Sequence, residues 1–562
     1  MSRRRASLQA SRATAPAGWT QRAPLLAAAL GFVVYLPSLG GGFLYDDVHV
    51  VVENRYIRDL GELVTVLRHD PARPLLGLSW ALNYAVGGLT AWPYHLVNVL
   101  LHAASAALLA SLFVWMARRL PRPQGETAAL LGACLFAASP MAAETVAYVA
   151  SRSTALATLL GLGSLRLGVE ALTGGSRRAL AGAGALFLAA LLVKEEAAAL
   201  PLLLLLLDFF FVAGQRPAEL LRRRFIHLGF LALPILGLAA RRALTGSWLP
   251  APALDPLRFV ATQLAVFPLY FLRALVPLDP AFYRGQPPAP WPPDLPTLTG
   301  WAATLLLAAF ALRERRRRPE WSFAVAWLAA GLLPSSLLVA LKEMVVDHRA
   351  YLGGAGVCFA LGRLLWRPGR ARAMVVLLSV LAVRAMHYQW VLADPVRAWQ
   401  DALRRAPASA EAWRALAEAY AARGDPRAES ALTRSLSLDP YDARGWSNLG
   451  AFYAERGRLA DAERAMRSAV RASPRDARVR DNLGMILLAL GREGEALAEF
   501  EAAAVGRPPL AQPRLNLASL LIRRGERARA RALVEEASRY VQDPQENEAV
   551  WALRNQLRQL PP

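Results

Sequence analysis

The chain has 562 residues, of which 55% are hydrophobic, and a formal net charge of +22. This hydrophobic content and the positive mean hydropathy of +0.27 exclude a single soluble domain. The charge does not indicate nucleic-acid binding, because the arginine clusters stand at the ends of hydrophobic segments, as in multi-span membrane proteins. These clusters are Arg3 to Arg5, Arg118-Arg119, Arg177-Arg178, Arg222 to Arg224 and Arg315 to Arg318.

A basic N-terminal segment, residues 1–23, precedes a series of hydrophobic segments. Most of these segments approach the roughly 20 residues with which a helix crosses a bilayer. They lie near 24–40, 94–117, 127–144, 153–172, 178–193, 197–213, 225–242, 297–312, 321–340, 350–366 and 372–391. The sequence therefore predicts a polytopic bundle of about 11 spans over residues 24–393, with the first span retained rather than cleaved as a signal peptide.

The segment 257–277 is ambiguous, because it is apolar but contains Arg258, Pro268 and Arg273. If this segment crossed the membrane, the Arg315 to Arg318 cluster would lie outside; if it lies in the interface, every major arginine cluster lies inside. We therefore place 257–277 in the interface, the N-terminus inside and the C-terminus outside.

The loops that then lie outside carry both acidic and basic residues close together, whereas the charged residues of the inside loops are mainly arginines. The outside charges are Asp46-Asp47, Glu144, Lys194-Glu195-Glu196 and Asp347-His348-Arg349. Two adjacent carboxylates at a membrane face are costly to desolvate, and each raises the pKa of the other, which suits a general base near neutral pH. The alternative for Asp46 and Asp47 is a solvated acidic loop.

The second part of the chain, residues 394–562, is polar and repetitive. Pro440, Pro474 and Pro508 recur every 34 residues, as do Gly457, Gly491 and Gly525, and a weaker copy precedes them. A helix-turn-helix period of this length is the tetratricopeptide-repeat signature, and stacked repeats form an α-solenoid. The whole chain is thus predicted to be all-α. Trp446, Tyr453 and Phe500 are expected to pack between helices, and Leu533 to Leu560 to form a capping helix pair.

Several motifs in the membrane part, together with the repeats, resemble a known family. The motifs are Phe43-Leu44-Tyr45-Asp46-Asp47, Arg73-Pro74-Leu75, Leu82-Asn83-Tyr84, Tyr94 to His102, Glu144 to Arg152, Lys194-Glu195 and Asp347 to Leu352. From about residue 25 to 540, the chain resembles the transmembrane and tetratricopeptide-repeat (TMTC-like) O-mannosyltransferases and their bacterial relatives, in the GT-C class of membrane glycosyltransferases. Thr154 departs from the usual pattern, as does Asp347, which stands where Glu is usual.

The resemblance implies an integral-membrane enzyme that moves a sugar, with mannose as the expected one, from a polyprenyl phosphate to a Ser or Thr hydroxyl of a protein. The repeats would recruit the acceptor, and the active site and repeats would face the periplasm from a bacterial inner membrane. No cofactor is implied, although a divalent metal between the two acids is an alternative. A non-enzymatic membrane-anchored scaffold for periplasmic partners is the competing interpretation. A transporter ranks last, because the charges lie at span ends rather than at mid-bilayer.

Within such an enzyme, Asp46 and Asp47 are the candidate bases, and the resemblance slightly favours Asp46. Arg349 is the first candidate to hold the leaving phosphate, because its guanidinium matches phosphate oxygens as a fork. The alternative for Arg349 is a structural ion pair with Asp347.

The other candidate residues support these two functions. Lys194 and Arg152 are the second choices for the phosphate, while Glu144 and Glu195 are expected to orient the cations or the sugar hydroxyls. His95 is expected to face the site, whereas Asn98 and His102 on the same helix face are expected to make polar contacts between helices. The interfacial run with Tyr270, Phe271 and Arg273 is expected to border the lipid groove, and Tyr283-Arg284 to reach the site.

Overall fold

The computed structural model of the protein describes residues 18–120, 125–246, 255–337, 343–541 and 544–559. Within these ranges the chain is helical and contains no β-strand. It divides into two compact units, Met1–Ala402 and Leu403–Pro562. The predicted all-α fold class, a transmembrane helical bundle followed by a tetratricopeptide-repeat solenoid, is confirmed.

Over its described residues, the first unit contains sixteen helices and most of a seventeenth. They are α1 Gly18–Tyr35, α2 Leu63–His69, α3 Pro74–Gly87, α4 Trp92–Ala117, α5 Gly125–Ala137, α6 Ala143–Ala147, α7 Arg152–Gly174, α8 Arg177–Leu191, α9 Leu200–Leu207, α10 Pro217–Arg222, α11 Arg224–Thr245, α12 Pro256–Leu275, α13 Leu295–Glu314, α14 Pro319–Leu337, α15 Tyr351–Leu365, α16 Ala371–Leu392 and α17 Pro395–Arg405. Short 3₁₀ turns at Glu195–Ala199 and Asp347–Ala350 connect some of these helices and carry predicted site residues.

The central helix of this unit is α4, which packs against α1, α5 and α7. Close approach of α5 and α15 depends on glycine, because a Cβ atom at Gly132 would lie 2.8 Å from the Cys358 carbonyl oxygen. Polar side chains also join the helices. The His102 ring of α4 lies 2.6 Å from the Tyr351 hydroxyl of α15 and 3.1 Å from the Ala137 carbonyl of α5, in agreement with the predicted polar contact between helices.

Six helical segments in the described residues are long and apolar enough to cross a membrane, and a bent pair would make a seventh. They are Gln21–Gly40, Trp92–Ala117, Val149–Gly174, Arg224–Ala243, Leu295–Glu314 and Ala371–Leu392, with the pair Gly125–Ala137 and Pro140–Ala147. Several expose large apolar side chains, such as Leu305 and Leu306 on α13, which are 70% and 71% exposed. An exposed apolar surface of this kind is stable only against lipid, and the protein is a membrane protein.

The remaining predicted spans are also helical over their described residues, although they do not meet both criteria of length and hydropathy. Their crossing of the membrane, and the total of about eleven, stay predictions. The ambiguous segment forms α12, which has Pro268 in its interior and buries Phe259 and Tyr270. Its place in the interface is likewise a prediction.

The second unit consists of paired helices. After α17 come α18 Ala410–Ala421, α19 Arg427–Leu438, α20 Ala443–Glu455, α21 Leu459–Ala472, α22 Ala477–Ala489, α23 Glu493–Ala504, α24 Ala511–Arg523, α25 Arg527–Ala537 and α26 Pro544–Gln559. The turn inside each of the four pairs holds a glycine with φ between 68° and 81°, at Gly424, Gly457, Gly491 and Gly525. This left-handed conformation suits glycine, which explains its recurrence in the sequence.

Of the expected packing residues, Phe500 is buried between repeat helices, the half-buried Tyr453 donates to Glu429 of the preceding repeat at 2.9 Å, and the half-buried Trp446 contacts the loop before its own helix. The Phe500 side chain is fully buried, and the Trp446 indole donates to the Pro440 carbonyl at 2.9 Å. The predicted capping pair over Leu533 to Leu560 is not present as such. Leu533 lies within α25, the second helix of a repeat, and only one further helix, α26, follows in the described residues.

Substitution of Gly484 by alanine is expected to destabilise the repeats. The new Cβ would lie 2.6 Å from the Phe500 ring, closer than packed atoms tolerate, so the free energy of unfolding should fall by about 1–3 kcal/mol. Gly494→Ala is the matched control, because its Cβ meets no atom within 4 Å and alanine raises helix stability by about 0.5–1 kcal/mol. Hydrogen exchange of the repeat helices in the full chain measures both effects. Equal stability of the two variants would contradict this packing.

Candidate active site

The two adjacent acids have opposite environments. Asp47 is fully buried and its carboxylate accepts three backbone N–H groups, from Leu44 at 2.9 Å, Ala150 at 2.6 Å and Val149 at 3.4 Å. These bonds tie the loop after α1 to the start of α7. Asp46 is exposed, and its own N–H donates to the Tyr148 hydroxyl at 3.0 Å. The structure thus places Asp46 at the surface of the loop and Asp47 in its core.

Burial raises the pKa of Asp47 to about 7, although its three N–H donors favour the charged form. A carboxylate that is fully buried and bonded to the backbone has no access to an acceptor hydroxyl. Asp47 is therefore placed to hold the loop, and Asp46 is the one of the two that an acceptor can reach.

Glu144 and His348 form a second contact between distant parts of the chain. The Glu144 carboxylate accepts from the backbone N–H of His348 at 3.0 Å, and its other oxygen lies 2.7 Å from His348 Nδ1. Burial and the Lys194 cation lower the pKa of His348 to about 3, which favours the neutral ring in its contact with Glu144. This contact holds the turn Asp347–Ala350, which carries Arg349, against helix α6.

Asp347 does not pair with Arg349, which contradicts the alternative considered from the sequence. Its carboxylate is bound by Arg284, with both distances from Arg284 Nη2 equal to 3.0 Å, and lies 3.7 Å from Arg273. It also accepts the N–H of Ala281 at 2.8 Å. Arg284, expected to reach this region, therefore does so as a partner of Asp347.

Arg349 is 5% exposed and donates to the Met344 carbonyl at 3.4 Å. Its buried Nε has no hydrogen-bond partner in the described part of the chain. Arg349 lines a cavity of about 30 Å³ together with His348, Thr154 and Glu196. This volume holds about one water, so a phosphate group enters only if the surrounding side chains move.

Lys194 contacts two residues that line the same cavity, Thr154 and Glu196. Its ammonium donates to the Thr154 hydroxyl at 2.7 Å and lies 3.2 Å from Glu196. Glu195 points elsewhere and forms a two-bond ion pair with Arg73, at 3.1 and 2.7 Å. Thr154, which departs from the family pattern, thus gives the lysine a neutral partner.

Arg152 is fully buried and bound only by neutral acceptors. It donates to the side chains of Asn98 at 3.0 Å and Asn83 at 2.7 Å, and to the carbonyls of Tyr94 at 2.9 Å and Ser79 at 3.2 Å. This arrangement positions Arg152 as a link between α3, α4 and α7 and away from the Arg349 cavity.

His95 lies under the glycine-rich segment that leads to Asp46. It is 1% exposed, and its Nε2 lies 3.3 Å from the Gly42 carbonyl oxygen. A Cβ atom at Gly41 would lie 3.2 Å from the same ring nitrogen, so the histidine and the loop are in close contact. His95 is therefore placed to support the loop.

Around Glu144 and Asp347 the structure brings together four cations and four carboxylates. They are Lys194, Arg273, Arg284 and Arg349 with Glu144, Glu196, Asp347 and Asp279, which lies 3.1 Å from Arg284. The formal charges balance, but Arg273 and Arg349 each keep a buried N–H without a hydrogen-bond partner in the described residues, and such donors suit an anionic ligand. Tyr148 connects this group to Asp46, because it lies one helical turn after Glu144 and its hydroxyl accepts the Asp46 N–H.

Sequence reasoning did not assign His348, Glu196 or Tyr148 to the site, although His348 and Tyr148 stand inside recognised motifs. In the described ranges, no three or more His, Cys, Asp or Glu side chains are grouped so that they could hold a metal ion. The expectation that the activity needs no metal stays a prediction.

Curated relatives of this chain are protein O-mannosyl-transferases. Human TMTC2 is 36% identical over 156 residues, covering 25% of this chain and 18% of the relative. Drosophila melanogaster Tmtc1 is 37% identical over 138 residues, covering 22% and 15%, and human TMTC4 is 30% identical over 166 residues, covering 25% and 22%. The chain thus spans at most about a fifth of the length of these relatives. No family model matches the chain.

Solved structures with some similarity are repeat proteins. Thermus thermophilus TTC0263, a tetratricopeptide-repeat protein, is 22% identical and covers 32% of this chain and 95% of its own, with a TM-score of 0.25. Pseudomonas aeruginosa PilF is 23% identical and covers 29% and 80%, also with a TM-score of 0.25. The helical membrane unit followed by repeats defines the class of the protein. Its curated relatives agree, over the matched residues, with the resemblance seen in the sequence.

The pKa of Asp47 predicts a pH-dependent stability. The folded-state pKa of about 7 exceeds the ordinary value of 3.8, so the folded state binds the proton more tightly and stability falls as pH rises between these values. The loss is at most on the order of 4 kcal/mol. Asp47→Asn cannot titrate, so its thermal unfolding midpoint in detergent should change less between about pH 5 and pH 8 than that of the wild type. Identical pH profiles would show that Asp47 titrates normally.

Proposed function

We propose that the protein is an integral-membrane glycosyltransferase of the GT-C type, which transfers a sugar, mannose by analogy with its named relatives, from a polyprenyl phosphate to a protein Ser or Thr hydroxyl. The observation that carries the proposal is the exposed carboxylate of Asp46 on a fixed loop, joined through Tyr148 to a cluster in which Arg349 and Arg273 have buried N–H groups without partners in the described residues. A transferase needs both parts. A scaffold uses neither.

Asp46 would act as the general base. It accepts the proton of the acceptor hydroxyl while the oxygen of that hydroxyl attacks the anomeric carbon of the sugar. The bond between this carbon and the phosphate oxygen breaks, and the polyprenyl phosphate leaves with the electron pair. The bound loop geometry keeps Asp46 in place, since Asp47 and His95 hold the segment on either side of it.

The phosphate would be stabilised by Arg349. A guanidinium with an unpaired buried N–H favours a ligand that supplies an acceptor, and phosphate oxygens do so with charge. Lys194 and Arg284 already have close acceptor partners. Glu144 acts through His348 by fixing the turn that carries Arg349.

The lipid chain would occupy an apolar cavity whose lining residue Gln263 donates to the Met344 carbonyl, the same carbonyl that accepts from Arg349. This cavity of about 410 Å³ lies between α12, α13 and α14, and most of its lining is apolar, including Leu264, Phe267 and Leu333. Its walls suit an isoprenoid chain. The proposal also places the site and the repeats on the periplasmic side of a bacterial inner membrane, because the arginine clusters are then cytoplasmic, and assigns acceptor recruitment to the repeats.

Asp46→Asn is the direct test of the base. The amide is nearly isosteric but cannot accept the proton, so the transfer rate should fall by about 10²–10⁴. The assay is sugar transfer from a polyprenyl-phosphate donor by the purified protein in detergent, with folding checked by thermal unfolding. Glu62→Gln, at an exposed acid of the same loop, is the control and should be active. Full activity of a folded Asp46→Asn would favour the membrane-anchored scaffold.

Arg349→Lys tests the phosphate contact separately. Lysine keeps the charge but loses the planar fork, so turnover should still decrease, by up to about 10²–10³ if the contact forms in the transition state. Arg367→Lys, at an exposed arginine after α15, is the matched control. If Arg349→Ala is folded and fully active, Arg349 is structural and Lys194 becomes the phosphate candidate.

A further inference from the structure

The residue before Asp46 has an unusual backbone conformation. Tyr45 has a φ of 48°, and in the described residues Gln215 is the other non-glycine residue with a positive φ. A bulky side chain is rarely found in this left-handed region, because its Cβ approaches the following carbonyl. Such a conformation persists only where the surrounding structure enforces it.

An aromatic cluster surrounds the Tyr45 ring. The ring centroid lies 5.1 Å from that of Trp399 and 6.2 Å from that of Phe282, both in edge-to-face geometry. Phe282 in turn lies 5.3 Å from Trp399 and 5.3 Å from Tyr148. We call Tyr45, Tyr148, Phe282 and Trp399 the aromatic clamp. Trp399 and Phe282 are 2% and 7% exposed, so the rings facing Tyr45 are themselves fixed.

Hydrogen bonds to neighbouring residues fix the position of the aromatic clamp. The Phe282 N–H donates to the Tyr388 hydroxyl at 2.6 Å, and that hydroxyl donates to the Asp401 carboxylate at 3.4 Å. Asp401 and Trp399 stand two residues apart on α17. The neighbouring Ala281 is bound by Asp347. The first helix after the last predicted span is therefore connected both to the loop that carries Phe282 and to Tyr45.

We infer that Trp399 is a positioning residue for the transfer reaction: by packing on Tyr45 it keeps that residue left-handed and so orients Asp46. The inference rests on the proposed function. A tyrosine released from this contact relaxes to a negative φ, which rotates the following peptide and moves the Asp46 carboxylate. The substrates do not contact Trp399, so its loss affects the geometry of the base rather than donor binding.

A rescue experiment distinguishes backbone strain at Tyr45 from an ordinary packing role of Trp399. Trp399→Leu should lower kcat by about ten-fold or more with little change in KM for the donor lipid, since a misplaced base alters the transition state and not donor binding. Trp399→Phe keeps a ring and should retain most of the activity. Glycine adopts the left-handed region freely, so Trp399→Leu combined with Tyr45→Gly should regain part of the lost kcat. Trp92→Leu, at a tryptophan that is 52% exposed at the start of α4, is the matched control.

Hydrogen exchange of the segment 44–48 gives a second readout that needs no activity. The Asp47 and Val48 N–H groups bond to the Leu44 and Tyr45 carbonyls in the structure, and Trp399→Leu should increase their exchange while Trp92→Leu leaves it unchanged. Unchanged exchange in Trp399→Leu would overturn the inference, as would a double variant no more active than Trp399→Leu alone.

The proposed function and this inference fail in different ways. If Asp46→Asn is active, the assigned base is wrong whatever Trp399 does. If Asp46→Asn is inactive and Trp399→Leu is folded, fully active and unchanged in exchange, Asp46 is the base but Trp399 does not position it.

Discussion

The carboxylate of Asp47 organises the first unit more than any other single group. Its oxygens accept N–H groups from both sides of a gap of about a hundred residues, namely from Leu44 after α1 and from Val149 and Ala150 before α7. Without these bonds, buried backbone donors on two segments would lack partners, which is costly in an apolar interior. The bonds also determine which way the neighbouring residue faces. Because Asp47 turns inward, Asp46 turns outward.

In the charged cluster around Glu144, too, neighbouring groups have different partners. Buried carboxylates need specific hydrogen-bond or ion-pair partners, and each has one here: Asp347 pairs with Arg284 and Glu196 with Lys194, while Glu144 accepts the backbone N–H of His348 and contacts its ring. Arg349 and Arg273 each have a buried N–H without a partner in the described residues, but Arg273 lies 3.7 Å from the Asp347 carboxylate, whereas Arg349 donates to the Met344 carbonyl.

The sequence predicted the helical class, the repeats and the segments that carry the site, because these depend on hydrophobic period, glycine spacing and local motifs. It did not predict which of two adjacent acids is buried, since that depends on donors a hundred residues away. Arg152 looked like a site cation but is enclosed by asparagine side chains and carbonyls, and Glu195 and Glu196 face different partners although they are neighbours. Trp399 carried no signal, because its contacts lie with residues far away in sequence.

The helix α17 begins at Pro395, just after the last predicted span, and continues to Arg405, past the division of the chain between Ala402 and Leu403. Its middle carries Trp399 and Asp401, which contact the membrane unit, so the apparent linker is a structural part of that unit. This affects how such chains are recombined. A repeat array from a related protein can be grafted onto this membrane unit only at a junction beyond α17, because a graft at Asp394-Pro395 replaces a helix whose side chains must fit loops encoded hundreds of residues earlier. Exchange of repeat arrays among related chains is therefore constrained at this one helix, while the repeats beyond it are free to vary in number.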